Sequence, residues 1–346
     1  MTETKKNSAV LLVNLGSPDA PTASAVRRYL REFLSDPHVV RFPRILWWLI
    51  LNGIVLNFRT KKTTKKYASI WTEEGSPLLL HTKKQAQLLR GFLGHAGHAL
   101  HVDYAMRYGQ PSLSSVLNRL KEKGFSHIFL LPLYPQYSTC TTASVYEAVQ
   151  AWAKPLSRKP SSRVPEIRTV HSYHDHPDYI KALAASVRQH WMLYPRSNEP
   201  YRLVMSFHGI PQNYVDHGDP YLDECLTTGR LLAQALGLDE TEYCLCFQSR
   251  FGFTQWLKPY TAATMAKLGR QGVQRVDILC PGFPGDCLES LEEIAKQGKS
   301  IFLQAGGKEY LYIPALNENE KWIKAMVNLV LNNSIAVPDK SSTDKG

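Results

Sequence analysis

The residue types best suited to chemistry in this chain are one imidazole and three carboxylates. His208 ends the apolar run RLVMSFH and is followed at once by Gly209, so it falls at a strand end, in a loop (SFHGIPQNYVDHGDPY) that Gly and Pro hold open. Further along, CPGFPGDCLESLEEI carries Asp286, Glu289 and Glu293 at spacings of three and four, which on a helix puts them on one face. Imidazole with carboxylates is a ligand set for a borderline divalent metal such as ferrous iron. The same groups accept protons near neutral pH. A site that both holds a metal and removes protons suits a reaction exchanging one for the other. Plainer roles compete. A lone histidine is commonly structural, and Asp286-x-x-Glu289 reads as an N-terminal capping box whose acids complement the helix dipole. Capping leaves Glu293 to be explained as an ordinary exposed helix residue. His217 is a rival imidazole, but it sits in a polar turn and reads as solvated.

Arg107 and Tyr108 end another strand, in DYAMRYGQPS. Arginine pairs with carboxylates and tyrosine stacks, so together they suit an aromatic ligand bearing a carboxylate. The alternative is a surface arginine beside a half-buried tyrosine. Glycine patterns for dinucleotides are absent, and GSP at 16–18 and 75–77 is too short for a phosphate loop.

The elements that must position these residues alternate between short apolar strands and longer helical patterns, which predicts an α/β fold with parallel sheets. Strands are expected at 9–15, 99–106, 127–133, 166–173, 202–208, 242–248 and 275–281, with helices at 22–34, 79–94, 112–123, 140–153, 176–192, 220–237, 259–269, 286–297 and near 317–332. A faint repeat runs through them. NLGSP (14–18) matches FHGIP (207–211), and LLPLYP (130–135) matches LCPGFP (279–284), in the same chain order. Two related halves follow, with Leu15 holding in the first the place that His208 holds in the second. Open α/β sheets bind ligands at strand C-termini, where all four strings lie. The expected division is a first domain over 1–175, a second over 176–314 carrying the metal-site residues, a helix over 315–334 packing back on the first domain, and a disordered polar tail over 335–346. KPLSRKPSSRVP (155–165) reads as an exposed loop.

With 346 residues, 44% hydrophobic and 21% charged, the composition is that of an ordinary globular protein large enough for two domains. The formal charge of +11 is unevenly placed. Arg59, Lys61, Lys62, Lys65 and Lys66 follow directly on RILWWLILNGIVLNF (44–58), which is too short to span a bilayer. Apolar bulk beside a basic cluster, with Trp47 and Trp48, fits a lip over 44–66 lying on an anionic membrane surface. The competing reading is a buried helix followed by a solvated charge run. Nucleic acid is disfavoured, because the basic residues are not interleaved with aromatics. The N-terminus makes a poor secretory signal, and the six cysteines show neither a C-x-x-C pair nor zinc-like spacing. A cytoplasmic protein, peripheral on the inner face of the cytoplasmic membrane, is expected.

These motifs bring a family into view. From about residue 9 to 333 the chain closely resembles the ferrochelatases, terminal enzymes of haem synthesis, through LLVNLGSPDAP, YASIWTEEGSPL, LPLYPQYSTCTTAS, SFHGIPQNYVDHGDPY, FQSRFGFTQWLKPYT and CPGFPGDCLESLEEI. The resemblance implies two Rossmann-like, chelatase-like domains with a porphyrin in the cleft between them and no dinucleotide. It implies that His208 and Glu289 are the central metal and proton-handling pair, with Glu293 and Asp286 continuing an acidic path. Phe283 would border the macrocycle and Leu15 would face it from the opposite wall, with Arg107 and Tyr108 nearby. Arg59, Tyr67 and Ser76 match positions near the family's porphyrin edge. Some members carry a [2Fe–2S] cluster on cysteines near the C-terminus. Here the last cysteine is Cys287, so no cluster and no permanently bound cofactor is expected; a cluster from Cys140 with Cys244 and Cys246 lacks the usual spacing.

The implied reaction is insertion of Fe²⁺ into protoporphyrin IX, giving protohaem and two protons. The implied partners are porphyrin, ferrous iron, the inner membrane surface and the preceding enzyme of the haem pathway. The competing functions are a cobalt or nickel chelatase for another tetrapyrrole, a non-catalytic haem carrier, and a membrane-surface scaffold using only 44–66. The apolar lip favours protoporphyrin over coproporphyrin.

Overall fold

The computed structural model describes residues 7–158, 163–196, 200–252 and 254–334. The tail expected over 335–346 and part of the 155–165 loop therefore lie outside the described residues. Four parallel strands, β1 (Ser8–Ser17), β2 (His101–Gly109), β3 (His127–Pro132) and β4 (Glu166–Thr169), form one sheet in the order β2-β1-β3-β4. Four more, β5 (Tyr201–His208), β6 (Tyr243–Gln248), β7 (Arg275–Leu279) and β8 (Glu309–Tyr312), form a second in the order β6-β5-β7-β8. The central strand of each sheet is covered on both faces, which is why AVLLV and LVMSF read as unbroken apolar runs rather than alternating ones. Strand β8 was not among the expected strands.

The two sheets are built alike. In each, the first strand pairs with the second and third, and the third with the fourth. Gly16 lies against Tyr108 so closely that a Cβ would stand 1.7 Å from the Tyr108 carbonyl oxygen, and a Cβ on Gly209 would stand 2.7 Å from that of Gln248. Past the second strand of each half the chain folds back. Met106 N–H donates to Pro111 O at 2.8 Å in one half, and Phe247 N–H donates to Pro259 O at 2.8 Å in the other.

Helices α1 (Ala23–Leu34), α2 (Arg44–Ile50), α3 (Leu56–Ala68), α4 (Pro77–His95), α5 (Leu113–Glu122) and α6 (Thr142–Ser157) accompany the first sheet. The lip is one continuous helical run, because a π-helical turn at Leu51–Val55 joins α2 to α3. In the second half come α7 (Pro177–Leu193), α8 (Gln212–Asp216), α9 (Tyr221–Leu236), α10 (Thr261–Arg270), a π-helical segment at Glu289–Gly298, and α11 (Lys299–Gln304). The final helix, α12 (Glu320–Ser334), packs against both α4 and α7. Its Trp322 is fully buried between Tyr173 and Tyr179, at ring separations of 5.7 and 5.5 Å. One apolar core joins the halves, holding Val10 and Leu12 from β1 with Leu203, Met205 and Phe207 from β5. The ends of β1 and β5 are thus fixed relative to one another by buried contacts.

Candidate active site

His208 is the last residue of β5 and is half-buried. Its Nδ1 lies 2.6 Å from the Gly209 carbonyl oxygen. A carbonyl oxygen only accepts, so Nδ1 carries the proton and donates. In the neutral ring Nε2 is then the unprotonated nitrogen, and it has no hydrogen-bond partner among the described residues. Phe283 presents its ring edge-on at 6.3 Å, and Trp256, which the sequence did not single out, lies on another side at 6.5 Å.

The acidic segment differs from the expected helix in two ways. Its hydrogen bonding is π-helical from Glu289 to Gly298, and Asp286 precedes it instead of sharing its face. Tyr310 Oη donates to Ile294 O within this segment at 2.6 Å, and Gly298 leaves room for the phenol, since a Cβ there would stand 2.3 Å from that oxygen. Glu289 and Glu293 stay neighbours, because four residues still amount to nearly one turn. Asp286 is buried and accepts hydrogen bonds from Tyr312 Oη at 2.5 Å and from Ser290 Oγ and Asn317 Nδ2 at 2.8 Å each. It anchors the segment's start. Glu293 accepts from Ser249 N–H at 2.7 Å and Ser249 Oγ at 2.6 Å. Ser249 has φ +67°, a left-handed conformation, and directly follows Gln248, the β6 residue paired with His208. Glu293 is thus tied to the strand end beside the imidazole.

Glu289 looks toward the first half. Burial pushes the Tyr29 and Tyr67 phenols well above their ordinary range, and the Glu289 charge adds to the rise in both. Burial lowers Arg59, with Glu289 opposing that fall. The Arg59 guanidinium lies 4.1 Å over the Phe251 ring. Leu15, Tyr29 and Tyr67 share an apolar cluster with Leu288 and Leu291 of the acidic segment. The structure therefore brings Leu15, Arg59 and Tyr67 to the wall that faces Glu289. Ser76 is buried at the start of α4.

Arg107 and Tyr108 are engaged elsewhere. Tyr108 is 1% exposed and donates to Asp36 Oδ2 at 2.7 Å, while Arg107 donates to Ser144 Oγ at 2.7 Å and pairs with Asp36. The buried phenol leaves no ring face for stacking on a ligand; Arg107 still borders a shallow surface hollow with Glu32 and Glu147. The cysteines are divided. Cys140 packs on the core at one face of the second sheet, and Cys244 and Cys246 pack in the core at its other face. Burial pushes the Cys140 and Cys244 thiols up to about 11. Among the described residues, no three His, Cys, Asp or Glu side chains converge as a closed metal cage.

Comparison with known proteins bears on the family and the fold of the chain. The family model for ferrochelatase matches residues 7–334. Curated ferrochelatases from Dechloromonas aromatica and Chromobacterium violaceum are 55% and 56% identical over 93% and 94% of this chain, and over 86% and 88% of their own length. Among solved structures, the chain is similar to SirB from Bacillus subtilis with Fe3+, at TM-score 0.55 and 14% identity over 94% of this chain and 95% of that one. It is also similar to CbiX, described as the terminal enzyme for biosynthesis of siroheme in denitrifying bacteria, at TM-score 0.52 and 13% identity over 95% of this chain and 100% of that one. At such identities these two likenesses concern the fold, a pair of parallel α/β sheets. Taken together, the match to the family model over nearly every described residue and the identity to curated relatives show that the chain belongs to the ferrochelatase family, enzymes of the ferro-lyase class.

Proposed function

We propose that the cleft between the two sheets inserts Fe²⁺ into protoporphyrin IX, giving protohaem and two pyrrole protons, and that His208 is the group that meets the reacting centre. The observation that carries this reading is the His208 tautomer: Nδ1 donates to Gly209 O, which leaves the Nε2 lone pair for a pyrrole proton or the incoming iron. A planar porphyrin turns its nitrogen lone pairs away from a metal approaching its face. Binding energy from the ring edge can bend the macrocycle toward attack; the apolar cluster holding Leu15, Tyr29 and Tyr67, and the Phe283 ring beside His208, suit that task. Glu289 and Glu293 would hold iron or carry the proton away. Asp286 supports them by fixing the start of their segment. Arg59 and Tyr67 would line the porphyrin edge, with Ser76 buried behind it at the start of α4. The test is anaerobic incubation of the protein with Fe²⁺ and, separately, protoporphyrin and coproporphyrin, following the absorbance change on metallation. Metallation of protoporphyrin is expected. No metallation of either porphyrin by the folded protein would overturn the reading, and coproporphyrin alone being metallated would overturn the substrate.

The lip supports a place at the inner membrane surface. Ile45, Trp48, Ile54 and Phe58 are 82, 62, 57 and 77% exposed, and Lys61, Lys62 and Lys65 follow on the same helical run. Trp47 is pinned inward by a hydrogen bond from its Nε1 to Leu34 O at 2.6 Å. No helix among the described residues is long and apolar enough to cross a membrane. Exposed apolar residues beside lysines suit an anionic interface. Co-sedimentation with anionic vesicles should fall when Lys61, Lys62 and Lys65 are changed to Gln; sedimentation equal to the parent's would refute it. The same surface is where the preceding haem-pathway enzyme would dock. The divided cysteines support an enzyme that works without a resident [2Fe–2S] cluster, and acid-labile sulfide in the purified protein would refute that.

A further inference from the structure

The peptide unit joining His208 to Gly209 is held at both of its polar ends. Its carbonyl accepts from Tyr221 Oη at 2.9 Å, and its N–H donates to Gln248 O at 2.8 Å. The imidazole then donates from Nδ1 to the next carbonyl, that of Gly209. The direction of the ring and the nitrogen that carries its proton therefore rest on this short stretch of backbone. Tyr221 is buried at the start of α9, and its own N–H donates to Asp219 Oδ1 at 3.1 Å. Asp219 is 5% exposed, and its other oxygen accepts three more hydrogen bonds. They come from Ser138 Oγ at 2.9 Å, Thr139 N–H at 2.8 Å and Thr139 Oγ1 at 2.8 Å, all in the loop after β3 of the first half. One buried carboxylate thus grips the phenol-bearing turn of the second half and a loop of the first.

We propose that Tyr221 and Asp219 are positioning residues for His208: they fix the 208–209 peptide against the first half, and with it the tautomer that leaves Nε2 open. Neither residue needs to touch porphyrin or iron. The proposal rests on the reading of His208 as the reacting imidazole. Glycine at 209 gives the hydroxyl more to do, because a residue without a Cβ is conformationally permissive and only its N–H, bonded to Gln248 O, otherwise restrains the peptide. Once Tyr221 Oη is removed, only the Gly209 N–H bond to Gln248 O still holds this peptide, so its carbonyl end loosens, the Gly209 carbonyl shifts with the chain, and Nδ1 loses its fixed acceptor. Both neutral tautomers then become populated.

The experiment compares full-length parent protein, Tyr221→Phe, Asp219→Asn and His208→Ala. Long-range ¹H–¹⁵N spectra of histidine-labelled protein, at mildly alkaline pH, read the tautomer, and His208→Ala identifies the His208 signals. The parent should show a protonated Nδ1 and a bare Nε2. Tyr221→Phe should show a mixture, and its kcat should fall about tenfold while the porphyrin KM stays within about twofold. Asp219→Asn should move both readings the same way. A folded Tyr221→Phe protein that keeps the parent tautomer and kcat would overturn the proposal, whatever its Tm. Tyr221→Phe removes a single oxygen, so it gives a sample even if Asp219→Asn does not fold. Parent-like turnover by His208→Ala would instead sink the reading of His208 itself, and the tautomer spectra would still judge the positioning.

Discussion

Leu15 near the end of β1 and His208 at the end of β5 occupy the same place in their sheets, each on a strand between two parallel neighbours and each followed by a glycine pressed against the neighbouring strand's carbonyl. At β1 the residue before that glycine is Leu15, packed with Tyr29 and Tyr67. At β5 it is His208, whose Nε2 is open. The neighbouring strands differ in the same sense. In the first half Asp36, Arg107, Tyr108 and Ser144 satisfy one another in a network that reaches the surface only at Arg107. In the second half Gln248 accepts from Ser206 Oγ at 2.7 Å, yet its buried Nε2 has no partner among the described residues. One backbone plan therefore supplies one wall that is apolar and another that leaves an imidazole nitrogen without a partner among the described residues. The difference lies in a few side chains at equivalent strand ends, not in the sheets themselves.

That contrast can be broken most severely at His208. Its replacement by Ala should lower turnover by about 10²–10⁴-fold while porphyrin binding stays measurable by fluorescence quenching. A folded variant with parent-like turnover would mean that the second wall is as passive as the first. The glycines come next. At Gly16, φ is +112° and an added Cβ meets backbone, so Gly16→Ala should cost about 4 kcal/mol in a urea melt. Gly209 has no positive φ and a looser contact, so Gly209→Ala should cost about 2 kcal/mol but also displace the His208 peptide and depress kcat. Equal destabilisation at the two sites would refute the view that β1 is the more tightly closed end.

A smaller effect is expected at Asp36. Burial alone would raise its pKa, but hydrogen bonds from Ser144, Tyr108 and the His38 N–H, with the Arg107 charge, hold it below the ordinary carboxyl value. A carboxylate with a depressed folded pKa contributes stability above its unfolded value, near pH 4, and loses it as pH falls through the folded value. Asp36→Asn should therefore cost about 2 kcal/mol at neutral pH and show a shallower loss of stability on acidification. An unchanged acid limb in the variant's stability–pH curve would exclude Asp36 as its source.

Much of this plan was legible in the chain. Seven of the eight strands announce themselves as apolar runs, and the NLGSP and FHGIP strings place Leu15 and His208 at equivalent ends. Strand β8 escaped because EYLY is four residues long and only Tyr310 in it is fully buried. The acidic segment was legible as a helix but not as a π-helix, because its widening involves Tyr310 Oη and Gly298, a contact made across the fold. Asp286 was misplaced on the helical face for the same reason: Tyr312 and Asn317, both distant in sequence, hold it ahead of the helix. Arg107 and Tyr108 look like ligand-binding residues until Asp36 is brought beside them. Asp219 and Tyr221 lay within a quoted motif, but nothing local in GDPY reveals that one grips the opposite half and the other the His208 carbonyl.

The lysine contacts between lip and acidic segment carry one last implication. Lys66 Nζ meets Glu292 Oε2 at 2.6 Å, and Lys296 Nζ meets Ser69 O at 2.7 Å, so α3 is riveted to the segment bearing Glu289 and Glu293. The end of α3 and the acidic segment are therefore mechanically joined. A displacement of that helix end is transmitted through these two lysines to the backbone that carries the carboxylates.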